Sequence, residues 1–191
     1  VTILLKGLKK AGADVDYTVP DRIVDGYGIN ENIINHAIED GIDTIVTCDN
    51  GIAAIPQINY AKENNMTVIV TDHHDIPFKE ENGEKVFLES DADAIVNPKQ
   101  KECKYPFKML CGATVAYKLI EIIYERLNLN PEDLNEYRQL ASIATIGDVV
   151  DLEDENRVLV KFGLSTLKNT KNTGIRALVD ACQIDIASLS S

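Results

Sequence analysis

The chain has 191 residues, 45% of them hydrophobic, and carries 31 acidic against 19 basic side chains, for a net charge of −12. That length supports one substantial core with at most a small second lobe, and no apolar run approaches the ~18 residues of a membrane span. The four cysteines, Cys48, Cys103, Cys111 and Cys182, are scattered with no C-x-x-C pair, which argues against a zinc ribbon and for a reduced, cytoplasmic chain.

In chain order, Val1, Ile3, Leu4, Leu5 and Leu8 mark one face of a helix that "KKAG" closes with basic residues and Gly12. The opening has no initiator Met and no signal-peptide pattern, and it starts within an apolar-periodic stretch; we read it as part of a longer protein. "ADVDYTVP" (13–20) reads as a strand closed by Pro20, and "DRIVDGYG" as a loop. A helix follows over 30–41, with Asn30 as its N-cap and Gly41 as its stop. Then come a strand over 42–49, a helix over 51–65 with a Pro near its start, and a strand over 66–73. A polar excursion, "KEENGEKVFLES", is a loop or hairpin, and a fourth strand occupies 92–98. Beyond residue 108 the pattern is helical throughout, and the tail "IDIASLSS" reads as the start of a linker. Short β-branched runs alternating with helices predict βαβ units, hence a parallel β-sheet flanked by helices, followed by an all-helical extension.

In open parallel sheets ligands bind outside the carboxyl ends of the strands. Two predicted strands end in titratable groups: "IVTCDNG" at Asp49, and "VIVTDHH" at Asp72, His73 and His74, which include two of the three histidines. Successive βαβ strands lie close in the sheet, so Asp49 and His73 are expected at one rim. "ATIGDVVDL" adds Asp148 and Asp151 where an apolar helix breaks at Gly147. Carboxylates packed together repel and resist ionisation, and a divalent cation removes that conflict. Carboxylates with an imidazole suit Mn²⁺ or Mg²⁺, the nitrogen favouring Mn²⁺. Two ions about 3.5–4 Å apart would activate a water and stabilise the leaving oxygen of a phosphoester. Plainer readings fit each segment alone: Asp49-Asn50-Gly51 as a helix cap and turn, the histidine pair as surface, "GDVVDLEDEN" as a solvated acidic loop. A structural zinc site on His73 and His74 lacks further ligands at suitable spacing.

With these residues in view, the chain resembles the DHH phosphoesterase superfamily over nearly its whole length. "TCDNGI" resembles the second motif of that family, "VTDHH" the third and "IGDVVDL" the fourth. "VPDRIVDGYGIN", "ADAIVNPKQKECKYPFKMLCGATVAYKL" and "ENRVLVKFGLSTL" are similar to its bacterial branch of exonucleases that degrade single-stranded DNA from the 5′ end. The resemblance implies that Asp49 bridges two metal ions, that His73 and Asp148 are further ligands, and that His74 meets the scissile phosphate. It implies that Asp72 orients the histidines from behind, as a ligating imidazole requires of an outer partner. Arg22 and Tyr27 would contact the nucleic-acid backbone or a base face, with Asn97 and Lys99 facing the same groove. An ordinary loop salt bridge also accounts for Arg22.

The resemblance makes residues 1–150 a phosphoesterase domain and 151–191 a helical extension leading toward a second domain. The family's first motif, Asp-x-Asp, belongs on a strand ahead of the helix that begins at Val1, and these residues lack that strand. The expectation is therefore a Mn²⁺- or Mg²⁺-dependent single-strand exonuclease of repair and recombination, of which this piece alone is weakly active or inactive. Its partners are single-stranded DNA and, for the longer protein, a single-strand-binding protein or a helicase, with no membrane. The alternatives are a relative acting on oligoribonucleotides, cyclic dinucleotides or pyrophosphate, and a non-catalytic scaffold in replication or repair.

Overall fold

A computed structural model of the chain describes residues 1–23 and 26–186. Val24 and Asp25, within the expected loop "DRIVDGYG", and the last five residues of the expected linker, 187–191, lie outside the described residues. The chain divides into two compact units, Asp16–Lys108 and a second made of Val1–Val15 with Met109–Ser191. The change at residue 108 from α/β alternation to helices falls where the first unit ends.

Helix α1 (Thr2–Lys10) places Lys9 and Lys10 in its last turn, against the partial negative charge of its carbonyl end. The predicted strand over 13–20 does not form. The Ala13 N–H closes α1 on the Leu8 carbonyl at 3.1 Å; beyond it no strand pairs with the stretch among the described residues, and the Asp16 carboxylate takes the Tyr17 N–H at 2.8 Å. Alternating β-formers make a strand only beside a hydrogen-bonded neighbour, and Tyr17 and Val19 remain exposed instead.

The α/β unit then runs α2 (Glu31–Glu39), β1 (Thr44–Val46), α3 (Ile55–Glu63), β2 (Thr67–Thr71), a hairpin of β3 (Phe78–Glu81) and β4 (Glu84–Phe87), and β5 (Ala94–Val96). The cap of α2 is as expected: the Asn30 side chain accepts from the Ile33 N–H at 3.0 Å. Pro56 sits in the first turn of α3, where its missing N–H costs no helical bond. β1, β2 and β5 form a three-stranded parallel sheet in the order β1-β2-β5; α3 makes the crossover from β1 to β2, and the segment carrying the hairpin makes that from β2 to β5. Val68 and Val70 of the central strand are fully buried and pack with Ile29, Ile34, Ile58, Ala61 and Met66. The polar excursion is a hairpin whose strand residues are all exposed, turning at Asn82-Gly83.

In the helical unit, α4 (Gly112–Arg126), a 3-10 turn (Pro131–Asp133), α5 (Leu134–Gly147), α6 (Asp154–Leu167) and α7 (Thr173–Ala181) follow one another. Ile120, Tyr124, Tyr137, Ala141 and Val160 are among the buried side chains, and the hydroxyls of Tyr124 and Tyr137 meet at 3.1 Å. Helices α5 and α6 approach so closely that a β-carbon on Gly163 would lie 1.9 Å from Ser142 Oγ and 3.1 Å from the Arg138 carbonyl oxygen. Gly163→Ala is therefore expected to destabilise the protein by about 1–3 kcal/mol in urea unfolding, although alanine is the better helix former. Unchanged or raised stability would show that the two helices separate without cost.

Candidate metal centre

Two sequence stretches, Ile45-Val46-Thr47 and Ile69-Val70-Thr71, end the first two strands in the same way. The parallel register pairs Thr44 with Thr67 and Val46 with Ile69, and its continuation brings Asp49 beside Asp72. The threonines lock that continuation. Thr71 Oγ1 donates to the Thr47 carbonyl at 2.7 Å, the Thr71 N–H reaches Thr47 Oγ1 at 3.2 Å, and the Asp49 N–H bonds the Thr71 carbonyl at 2.9 Å. These two threonines were not singled out in the sequence; the repeated β-branched pair followed by Thr and, within two residues, Asp is the signal that could have found them.

The chain then turns sharply. Asp49 adopts φ +62° and Gly51 φ +110°. Asp is among the few side chains that enter the left-handed region at modest cost. Gly51 is needed for space as well as for its backbone, because a β-carbon there would lie 2.7 Å from Thr47 Oγ1, which itself donates to the Asn50 carbonyl. The turn lifts the Asp49 carboxylate to the carboxyl-end rim of the sheet, half exposed.

Asp72 is 1% exposed. Its Oδ2 accepts the Ile52 N–H at 2.9 Å, tying down the segment after Asp49. Its Oδ1 accepts the N–H groups of His73 and His74 at 2.7 and 3.2 Å and contacts Nδ1 of His74 at 2.7 Å. One buried carboxylate thus fixes both sides of the rim, and it leaves His74 its other ring nitrogen to present outward.

His73 Nε2 lies 3.0 Å from Asp49 Oδ1, and the two imidazole rings stack obliquely with centroids 4.5 Å apart. Asp49, His73 and His74 each offer a ligand atom within 4.8 Å of the others'. The hydrogen bond from His73 holds the Asp49 carboxyl below its ordinary value, against the opposing effect of partial burial. A carboxylate that stays ionised beside imidazole nitrogens is the donor set that suits Mn²⁺ or Mg²⁺, so these residues fit such an ion.

The remaining expected residues fall in several places. Lys99 Nζ pairs with Asp75 Oδ1 at 2.8 Å, and that ion pair lowers the Asp75 pKa. Asn97, expected to face a groove, is instead 2% exposed: its Nδ2 donates to the His74 carbonyl at 2.9 Å and its Oδ1 accepts the Lys99 N–H at 2.9 Å. A side chain with both polar ends spent on the backbone shapes the strand end rather than reaching outward. Arg22 stacks its guanidinium over the Tyr27 ring, 5.4 Å from the centroid, and Tyr27 is 84% exposed. No ion pair is found for Arg22 among the described residues. Asp148 caps the carboxyl end of α5 in the other unit, its N–H on the Ala144 carbonyl at 2.8 Å.

Known proteins share this sequence and fold. A family model described as "DHH family, N-terminal domain" matches residues 1–147. The single-stranded-DNA-specific exonuclease RecJ of Bacillus subtilis (strain 168) is 40% identical over 185 residues, which cover 97% of this chain and 22% of that protein. The protein of the same description from Salmonella typhimurium is 35% identical, over 97% of this chain and 32% of its own length. Among solved structures, an exonuclease RecJ bound to manganese superposes with a TM-score of 0.80 at 34% identity, covering 96% of this chain and 44% of that one. RecJ of Thermus thermophilus in complex with Mn²⁺ gives 0.73 at 31% identity, covering 96% of this chain and 24% of that one. The chain thus spans between about a fifth and a third of the length of these curated relatives.

Proposed function

Because the chain belongs to the DHH family, we propose that it is the metal-binding part of a nuclease that hydrolyses single-stranded DNA from the 5′ end, in repair and recombination. The observation that carries this reading is the Asp49–His73 pair at 3.0 Å, with His74 beside it, at the carboxyl end of two parallel strands. Solved RecJ proteins that hold Mn²⁺ or Mg²⁺ support the choice of ion.

Asp49 and His73 would hold the ion, and Asp148 joins them in this reading on the strength of its motif alone. A bound divalent cation supplies the Lewis acidity that attack on phosphorus and departure of the 3′ oxygen need. Asp72 keeps the rim in shape: it orients His74 through Nδ1, and the other nitrogen of that ring would meet a phosphate oxygen of the substrate. Lys99, held beside this rim by Asp75, would meet a backbone phosphate. Arg22 and Tyr27 would grip the strand by charge and by stacking, which reads no base edges and makes binding independent of sequence. An overall charge of −12 means that attraction to DNA must be local, through the ion and these side chains. A single-strand-binding protein or a helicase is the kind of partner that would deliver such a substrate. Four scattered cysteines with no C-x-x-C pair fit a reducing, cytoplasmic setting, and no described helix is long and apolar enough to cross a membrane.

The test is to soak crystals of the chain with Mn²⁺ and collect anomalous scattering. The expected peak lies against Asp49 and His73; a peak elsewhere, or none at millimolar Mn²⁺, removes the metal reading. A complete gene product that cleaved a cyclic dinucleotide but not a 5′-labelled single strand would move the chain to another branch of the family.

A further inference from the structure

The rim has a third strand end. β5 pairs with β2 in parallel register, Thr71 beside Val96, and the Asp72 N–H reaches the Val96 carbonyl at 3.1 Å. The residue after Val96 therefore stands beside the segment that carries Asp72, His73 and His74. That residue is the buried Asn97.

The two ends of its amide differ. Oδ1 accepts the Lys99 N–H at 2.9 Å across Pro98, a local turn that serine or aspartate would also make. Nδ2 donates to the His74 carbonyl at 2.9 Å, 23 residues away along the chain, and no local turn accounts for that bond. Lys99 returns to the same place by its other end, where its Nζ donates to Asp75 Oδ1 at 2.8 Å. His74, Asn97, Lys99 and Asp75 thus close a ring, since His74 and Asp75 are neighbours in the chain. Both ends of Lys99 are tied to one dipeptide of the rim. The ion pair alone would hold a flexible lysine weakly, because the Asp75 side chain is 91% exposed and water and salt screen the pair. The buried amide supplies the other tie. The ring of His74 has its own hold through Asp72, so the freedom that Asn97 removes is that of Lys99.

We propose that Asn97 is a positioning residue: by tying the backbone of Lys99 to the His74 carbonyl, it sets the lysine ammonium where a phosphate of the substrate strand meets the rim. This rests on the reading of Lys99 as a phosphate contact, and it adds a residue that touches neither ion nor substrate.

The test uses the complete gene product with Asn97→Ser, which keeps the turn acceptor but loses the tie, with Lys99→Met, and with both. Rates are taken on a 5′-labelled single strand at saturating Mn²⁺, at a temperature where urea curves show each variant folded. Each single substitution is expected to lower kcat/KM about 10–100-fold, and the double to lower it little further, because Asn97 acts through the lysine. Between about 50 and 200 mM salt, the log–log slope of kcat/KM is expected to become shallower by up to about 0.7 in every variant, the share of one phosphate contact on a single strand. The Mn²⁺ dissociation constant is expected to stay unchanged, since Asp49 and His73 keep their contact. Additive losses, an unaltered slope for Asn97→Ser, or Mn²⁺ affinity that falls in step with the rate would overturn the proposal. Asn97→Asp, equal in size and also without the donor, replaces the serine variant if that one unfolds, and is read by additivity alone. If the unaltered protein leaves the strand intact, the nuclease reading fails and this proposal falls with it. If the protein degrades the strand and Lys99→Met does so at the full rate, the nuclease reading stands and this proposal alone fails.

Discussion

Asp49→Asn in the complete gene product is expected to lower Mn²⁺-dependent degradation of 5′-labelled single-stranded DNA by more than about 100-fold while leaving the fold intact. The size follows from what is asked of the side chain: removing partners behind a metal ligand costs about 10–100-fold, and removing the ligand itself costs more. Asparagine is the right replacement because the position sits at φ +62°. Asn tolerates that conformation, whereas alanine would add backbone strain and blur loss of chemistry with loss of stability. Asparagine also keeps an oxygen within reach of His73 Nε2, so the 3.0 Å contact can survive without the charge. The measurement is the initial rate of nucleotide release, paired with a urea unfolding curve. Activity within a few fold of the parent would take Asp49 out of the chemistry.

Asp72→Asn is expected to act on stability and on the metal together. At 1% exposure, its carboxylate is the common acceptor for the N–H groups of Ile52, His73 and His74 and for Nδ1 of His74. An amide can offer only one oxygen. Its NH₂ would face donors that it cannot satisfy, and each unsatisfied buried N–H costs about 1–3 kcal/mol. The expected loss is about 2–4 kcal/mol of unfolding free energy, with Mn²⁺ affinity falling about 10–100-fold even where the variant is fully folded. The second half separates orientation of the rim from mere support of it. A variant that is less stable yet binds Mn²⁺ as tightly as the parent would reduce Asp72 to a structural residue.

The sequence carried the architecture where local pattern and tertiary context agree. Asn30 and Gly41 bracket α2 because capping and the left-handed stop are decided within a few residues. The alternation of strands and helices from 42 to 96 becomes the three parallel strands, because burial on both faces demands continuous apolar runs such as Val68–Val70. The approach of Asp49 to His73 was legible too, since both follow β-branched strands joined by one helical crossover, and consecutive strands of that kind usually lie side by side.

What the sequence alone did not decide were contacts set by neighbours distant along the chain. The stretch 13–20 has the composition of a strand, but among the described residues it has no neighbouring strand to bond and forms no ladder. Asn97 has the polarity of a ligand-facing residue, yet register places it under the His74 carbonyl, where both ends of its amide are consumed. That Asp72 would be buried beneath the rim while Asp49 stands half exposed on it depended on a turn at φ +62°, which no periodicity encodes. Composition and spacing determine which side chains the chain carries to a strand end. Only packing and the satisfaction of buried hydrogen bonds decide which of them turn inward to hold the site and which turn outward to use it.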